Sequence, residues 1–90
     1  MDIVEISGDG VVFTSPEVLE LHQYVEAVIV LARFPLRVAG AIGRIVRLDE
    51  KDGMLFYALD FTRIRERDLE SIVQFVFQSQ RDDLRGKKWD

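Results

Sequence analysis

Few residues in this chain are of the types that catalyse reactions or hold metals. His22 is the only histidine, and the absence of cysteine among the 90 residues excludes disulfides and cysteine-ligated zinc. No paired carboxylates accompany His22 in a pattern typical of acid–base catalysis. We therefore interpret His22 as a surface residue beside a turn, and we expect no enzymatic activity, no metal and no cofactor.

Small polar residues gather between two β-rich runs near the N-terminus. They are Ser7, Gly8, Asp9 and Gly10, flanked by the candidate strands of residues 3–6 and 11–14. The structural interpretation is a hairpin turn that needs positive φ and local hydrogen bonds. The functional interpretation is a ligand site, because such a turn offers backbone donors and lets a ligand approach.

Alternating arginines form a second group that could bind a ligand. Arg63, Arg65 and Arg67 would share one face of an extended segment and could hold a small anion. The alternative, which we favour, is a solvated connection that leads into the following helix.

Composition and charge limit the classes of partner. Hydrophobic residues make up 48% of the chain, and the net charge is −4. Binding to a nucleic acid polymer usually requires clustered Lys and Arg, so we do not expect it. The most apolar run, residues 25–32, is too short to span a bilayer. With acid rather than base at the N-terminus, the sequence predicts a cytoplasmic protein without membrane insertion.

The first two-thirds of the chain has the pattern of strands. After the hairpin and an ambiguous segment at residues 15–17, which could form a short helical turn or an irregular connection, three more strands are expected. Glycine inside a strand often marks a bulge or bend, and the middle strand contains Gly40 and Gly43. The predicted strands cover residues 24–31, 36–48 and 54–61, joined by turns at residues 33–35 and 49–53.

The pattern then changes to that of a helix. A mainly apolar stripe at helical spacing comprises Leu69, Ile72, Val73, Val76, Gln80 and Leu84. Gly86 is the predicted end of the helix and of a domain spanning residues 1–86, with residues 87–90 as a frayed tail. Phe77 lies at the edge of the stripe and is assigned to the core, with Phe75 further off as an interface candidate. The predicted fold is mainly β: a small, open antiparallel barrel of about five strands plus one C-terminal helix.

This arrangement resembles a PilZ domain, a bacterial signalling module many of whose members bind cyclic di-GMP. Residues 5–11 are similar to the family's Asp/Asn-x-Ser-x-x-Gly motif, residues 36–47 to its middle strands, and residues 57–61 to its Gly-x-Glu-Phe segment. The likeness covers nearly the whole chain. The ligand-binding residues that it implies are Glu5, Ser7, Gly8, Asp9 and Gly10.

Two departures from the family bear on ligand binding. Glu5 replaces the motif's Asp or Asn, and no R-x-x-x-R motif precedes it; Arg33 and Arg37 have the right separation but lie downstream. Without those arginines, a ligand with two phosphates loses charge neutralisation and base stacking. We therefore expect weak or absent cyclic di-GMP binding.

The leading hypothesis is a PilZ-like signalling module that acts through protein–protein contacts. A missing barrel strand would leave an open edge, so we expect a homo-oligomer formed through that edge or the C-terminal helix. The interface candidates are Ile3, Phe75, Phe77 and Trp89. One alternative is a true cyclic di-GMP receptor whose arginines come from another segment or chain, or from Arg44 and Arg47. The other is an unrelated small β fold with an enzymatic or nucleic-acid role.

Overall fold

A computed structural model of the chain describes the backbone of residues 2–89 and the side chains of residues 2–79. Five antiparallel strands form a curled half-barrel, and one helix follows, so the predicted fold class is confirmed. The elements are β1 (Asp2–Ile6), β2 (Gly10–Thr14), β3 (Tyr24–Arg33), β4 (Leu36–Lys51), β5 (Met54–Ile64) and α1 (Glu66–Trp89).

The sheet has the strand order β1-β2-β5-β4-β3, which leaves β1 and β3 at its edges. Strand β4, with 16 residues, pairs with β3 on one side and with β5 on the other. Pairing with β5 stops at Ala41, opposite Ile64, whereas pairing with β3 continues to Leu36. The β3–β4 hairpin therefore projects beyond the rest of the sheet as a two-stranded ribbon, residues 28–40.

Bulges bend the long central strand. The register between β4 and β5 shifts at Ile42/Gly43 and again at Ile45/Arg47. A Cβ at position 43 would lie 2.7 Å from the carbonyl oxygen of Asp60. The glycine thus permits a close approach of two backbones, and the bend predicted from the glycines is confirmed at Gly43.

The first core cluster fills the concave face of the sheet. Phe13 and Tyr57 stack with ring centroids 5.5 Å apart. The hydroxyl of Tyr57 donates to the carbonyl oxygen of Glu17 at 3.2 Å and accepts from the N–H of Leu19 at 3.0 Å. This buried phenol therefore attaches the irregular connection of residues 15–23 to the sheet. The buried members of the cluster are Val11, Phe13, Ala27, Ile45, Tyr57 and Leu59.

Helix α1 covers the inner face of the ribbon. Ile72 is fully buried against Ile29 and Ala39. Phe77 is 59% exposed, so its assignment to the core is wrong. At 100° per residue, Phe77 lies about 140° around the helix from Ile72, and the narrow ribbon covers only the stripe nearest Ile72.

Several element boundaries differ from expectation, and strands β3 and β4 end at Arg33 and Lys51 rather than at residues 31 and 48. Helix α1 runs through Gly86 to Trp89, so the end predicted at Gly86 is wrong; a glycine inside a helix costs only about 1 kcal/mol relative to alanine. Of the two alternatives for residues 15–17, the structure has the irregular connection, in which the hydroxyl of Ser15 accepts the N–H of Glu17 at 3.1 Å. Strand β5 extends to Ile64, which places Arg63 in the sheet. Residues 2–89 contain no helix that is both long and apolar enough to cross a membrane.

Candidate functional site

The turn between β1 and β2 is held by local hydrogen bonds, as predicted. The N–H of Ser7 donates to the carbonyl oxygen of Gly10 at 3.0 Å, and the N–H of Asp9 donates to the Ser7 hydroxyl at 3.3 Å. Neither Gly8 nor Gly10 has a positive φ, so that part of the prediction is wrong. Gly10 is needed for another reason: the carbonyl oxygen of Leu59 occupies the place that a Cβ would take.

A shallow groove of about 330 Å³ lies beside this turn. Four of the five predicted ligand residues line it, namely Glu5, Ser7, Asp9 and Gly10, together with Arg47 and Asp60. The fifth, Gly8, faces the helix, since a Cβ there would lie 3.5 Å from Val73. Four of the five residues that the resemblance implies therefore share one surface.

The charge of this groove is unfavourable for a phosphate ligand. Glu5, Asp9 and Asp60 contribute three carboxylates, against the single guanidinium of Arg47. The Nε of Arg47 already lies 2.9 Å from an oxygen of Asp49. Like charges repel, so the groove disfavours a dianion.

The other basic residues considered from the sequence lie elsewhere. Arg44 contacts Nδ1 of His22 at 2.8 Å. His22 is exposed beside a turn, as predicted, and its backbone N–H donates to the carbonyl oxygen of Ile45 at 2.7 Å. These contacts attach the end of the 15–23 connection to β4.

The alternating arginines are distributed over three elements. Arg63 lies in β5, Arg65 in the joint and Arg67 in the first turn of α1. Arg63 and Arg65 line a notch of about 390 Å³ at the end of β5, where the carboxylates of Glu26 and Asp68 balance them. The notch therefore has no net positive charge, which agrees with the interpretation of a solvated connection.

The sequence interpretation missed an exposed apolar surface at the turn between β3 and β4. At the tip of the ribbon, Phe34 is 96% exposed and Leu36 70% exposed. On the outer face behind the tip, Val28, Val30 and Val38 are also exposed. An available signal was Phe34 itself, because turns usually carry small or polar residues.

A second apolar feature lies between the two edges of the curled sheet. This cavity of about 330 Å³, which we call the edge cavity, is lined by β1 and β2 on one side and by residues 25–29 of β3 on the other. The interface candidate Ile3 is one of its walls. The charged residues that line it, Glu17 and Glu26, are both acidic and both exposed, so they form its mouth.

The remaining interface candidates lie on the helix. Phe75 is half-buried, Phe77 is largely exposed, and the side chain of Trp89 lies outside the described residues. Among the described side chains, no three histidine or carboxylate groups gather as a metal-ligand set. Comparisons with protein-family models, with curated proteins and with solved structures give no match.

Proposed function

We propose that this domain is a non-catalytic interaction module that acts through protein–protein contacts, with the β3–β4 ribbon as its main contact surface. The observation that carries the proposal is the exposure of Phe34 and Leu36 at the tip of a projecting ribbon. A large apolar side chain gains about 1.5–3 kcal/mol when it moves from water into a packed interface. Exposed apolar patches of this kind are typical of binding surfaces.

The proposal includes a PilZ-like role in bacterial cytoplasmic signalling, assembly into a homo-oligomer, and weak or absent binding of cyclic di-GMP. Its support is the order of the motifs along the chain and the three carboxylates around the groove that Ser7 and Gly10 line. Other signalling proteins are further candidate partners.

In-cell photo-crosslinking tests the contact surface. A photoreactive amino acid replaces Leu36 on the ribbon or, as a control, Met54, an exposed apolar residue at the start of β5. We expect protein adducts from position 36 that are absent from position 54. Equal labelling at the two positions, or none at either, would contradict the proposal.

A genuine cyclic di-GMP receptor is the alternative function. It is favoured by one observation: Arg47 lines the same groove as Ser7 and Asp9. Titration calorimetry with cyclic di-GMP separates the two functions, and we expect no saturable binding in the micromolar range. Micromolar binding that is lost in both Ser7→Ala and Arg47→Ala would establish the alternative. Gly10→Ala is unsuitable, because its Cβ would collide with β5.

A further inference from the structure

We propose that two copies of this chain form a reciprocal dimer in which the tip of each β3–β4 ribbon enters the edge cavity of the other. The inference rests on the proposed function and specifies the partner as a second copy. It joins two features that lie on the same edge strand, a projecting apolar tip and an apolar cavity.

The tip combines exposed apolar side chains with flanking positive charges. Its apolar centre, Phe34 and Leu36, is flanked by Arg33 and Arg37, and both arginines are exposed. Neither arginine has an ion-pair partner among the described side chains. The tip therefore presents apolar side chains between two positive charges that form no ion pair among the described side chains.

The edge cavity has the complementary chemistry. Its walls are mainly apolar, and its volume of about 330 Å³ lies within the range of pockets that hold small organic groups, roughly 300–1,000 Å³. The carboxylates of Glu17 and Glu26 stand at its mouth, and neither forms an ion pair among residues 2–79. Glu26 also lines the neighbouring notch with Arg63 and Arg65, so Glu17 is the carboxylate of the mouth with no arginine in the same cavity. The apolar tip with its flanking arginines is thus complementary to the apolar edge cavity with glutamates at its mouth.

The spacing along β3 allows both tips to engage at once. Glu26 and Phe34 are eight residues apart, about 26 Å in a regular extended strand and somewhat less here, because β3 has a bulge between Val30 and Ala32. Two antiparallel copies of β3 related by a twofold axis near Val30 would place each Phe34 beside the other copy's Glu26. The interface is then self-complementary, as a closed dimer requires.

The part of β3 between the two inserted tips would also be buried in the dimer. Val28 and Val30 are exposed on the outer side of β3, and β3 is an edge of the sheet. In the antiparallel arrangement, Val30 of one copy lies opposite Val30 of the other, and Val28 is its diagonal neighbour across the pair. Exposed edges favour pairing with another strand, which adds backbone contacts to the apolar ones.

Charge reversal tests the pairing directly. Light scattering and sedimentation should show a dimer at micromolar concentration for the natural chain. Glu26→Arg and Arg33→Glu should each weaken dimerisation by at least about tenfold, because each sets like charges together. The double variant should recover most of the affinity. Glu50→Arg is the matched control, since Glu50 is exposed on β4 outside the cavity.

Cross-linking tests which surfaces meet. Because the chain has no cysteine, one copy carrying Leu36→Cys can be mixed with another carrying Ile3→Cys, a residue of the cavity wall. We expect a mixed disulfide that does not form when Met54→Cys replaces Leu36→Cys. This result requires the tip of one copy to reach the cavity of the other.

Three outcomes would overturn the proposal. They are a strictly monomeric chain across micromolar concentrations, a dimer unaffected by both Glu26→Arg and Arg33→Glu, and a complex at the ribbon that contains only a different protein. In the last case the ribbon would still crosslink to a partner at position 36, so the proposed contact surface would stand while the homo-oligomer failed. Absence of ribbon crosslinks to any protein would contradict both.

Discussion

Two hairpins share strand β4 and have opposite chemistry at their tips. The β4–β5 turn is formed by Asp52 and Gly53, whose φ values of 54° and 77° are both left-handed. The β3–β4 turn contains Phe34 and Pro35, and Phe34 is almost wholly exposed. Each turn reverses the chain over two residues, but the first has the Asp-Gly pair that two-residue hairpins favour, whereas the second presents a large apolar side chain to solvent.

The difference between the two turns distinguishes residues that the backbone conformation requires from residues that are exposed and available for binding. Asp52 and Gly53 are explained by backbone geometry, because aspartate and glycine tolerate left-handed conformations. Phe34 contributes almost no buried area to the isolated chain. Its apolar ring therefore has no packing role within the isolated chain, and the proposed contact surface rests on it.

The largest effect is expected where the ribbon meets the helix. Ile72→Ala should lower the free energy of unfolding by about 2–5 kcal/mol, because Ile72 is fully buried against Ile29 and Ala39. Urea denaturation measures the change. Hydrogen exchange should show lost protection in the ribbon before the β4–β5 hairpin. Val73→Ala, on the half-exposed neighbour, is the control and should have a much smaller effect.

The polar turn should be sensitive to backbone conformation. Gly53→Val should destabilise the chain by about 1–2 kcal/mol, because a β-branched residue resists the φ of 77° at this position. Gly53→Asn should be better tolerated, since asparagine adopts this conformation more readily. Equal midpoints for the two variants in urea denaturation would show that φ does not determine the residue at this turn.

Substitution at the β3–β4 turn should have little effect on the free energy of unfolding. Phe34→Ser should change the stability of the monomeric chain by no more than about 0.5 kcal/mol, the usual range for exposed positions. Denaturation at concentrations too low for dimerisation is the appropriate experiment. A larger loss of stability would mean that Phe34 stabilises the folded chain. The two hairpin turns would then not differ in the way described.

The smallest effect is expected at the ion pair near the polar turn. Arg47 and Asp49 are 63% and 59% exposed in their side chains, so their interaction is screened by solvent. Asp49→Ala should change the free energy of unfolding by less than about 0.5 kcal/mol. Thermal unfolding at low and high salt should give nearly the same difference between the variant and the natural chain.

The order of strands and helix was predictable because burial leaves a periodic pattern in the sequence. Alternation in β3 and β4 and the stripe through Ile72 mark the faces that pack in the core. The pattern does not state how wide the opposing surface is. Phe77 was therefore misplaced, since the ribbon beneath the helix is only two strands wide.

The candidate site was less predictable. The residues around the Ser7 turn were found through a family resemblance, but the carboxylate of Asp60 joins them only through strand pairing. The edge cavity depends on how strongly the sheet curls. The glycines near the bulge at Gly43 indicate a bend, but the sequence does not give its angle. The tip at Phe34 was visible in the sequence, but its projection beyond β5 was not.

The buried hydroxyl of Tyr57 has a consequence for partner binding. By holding the backbone of Glu17 and Leu19, it fixes one side of the cavity mouth to the core of the sheet. A mouth that is already ordered loses less conformational entropy when it is filled. The core of this small domain therefore preorganises part of its surface. In the proposed dimer, the tip of the other copy would meet the carboxylate of Glu17 on a segment that is already ordered.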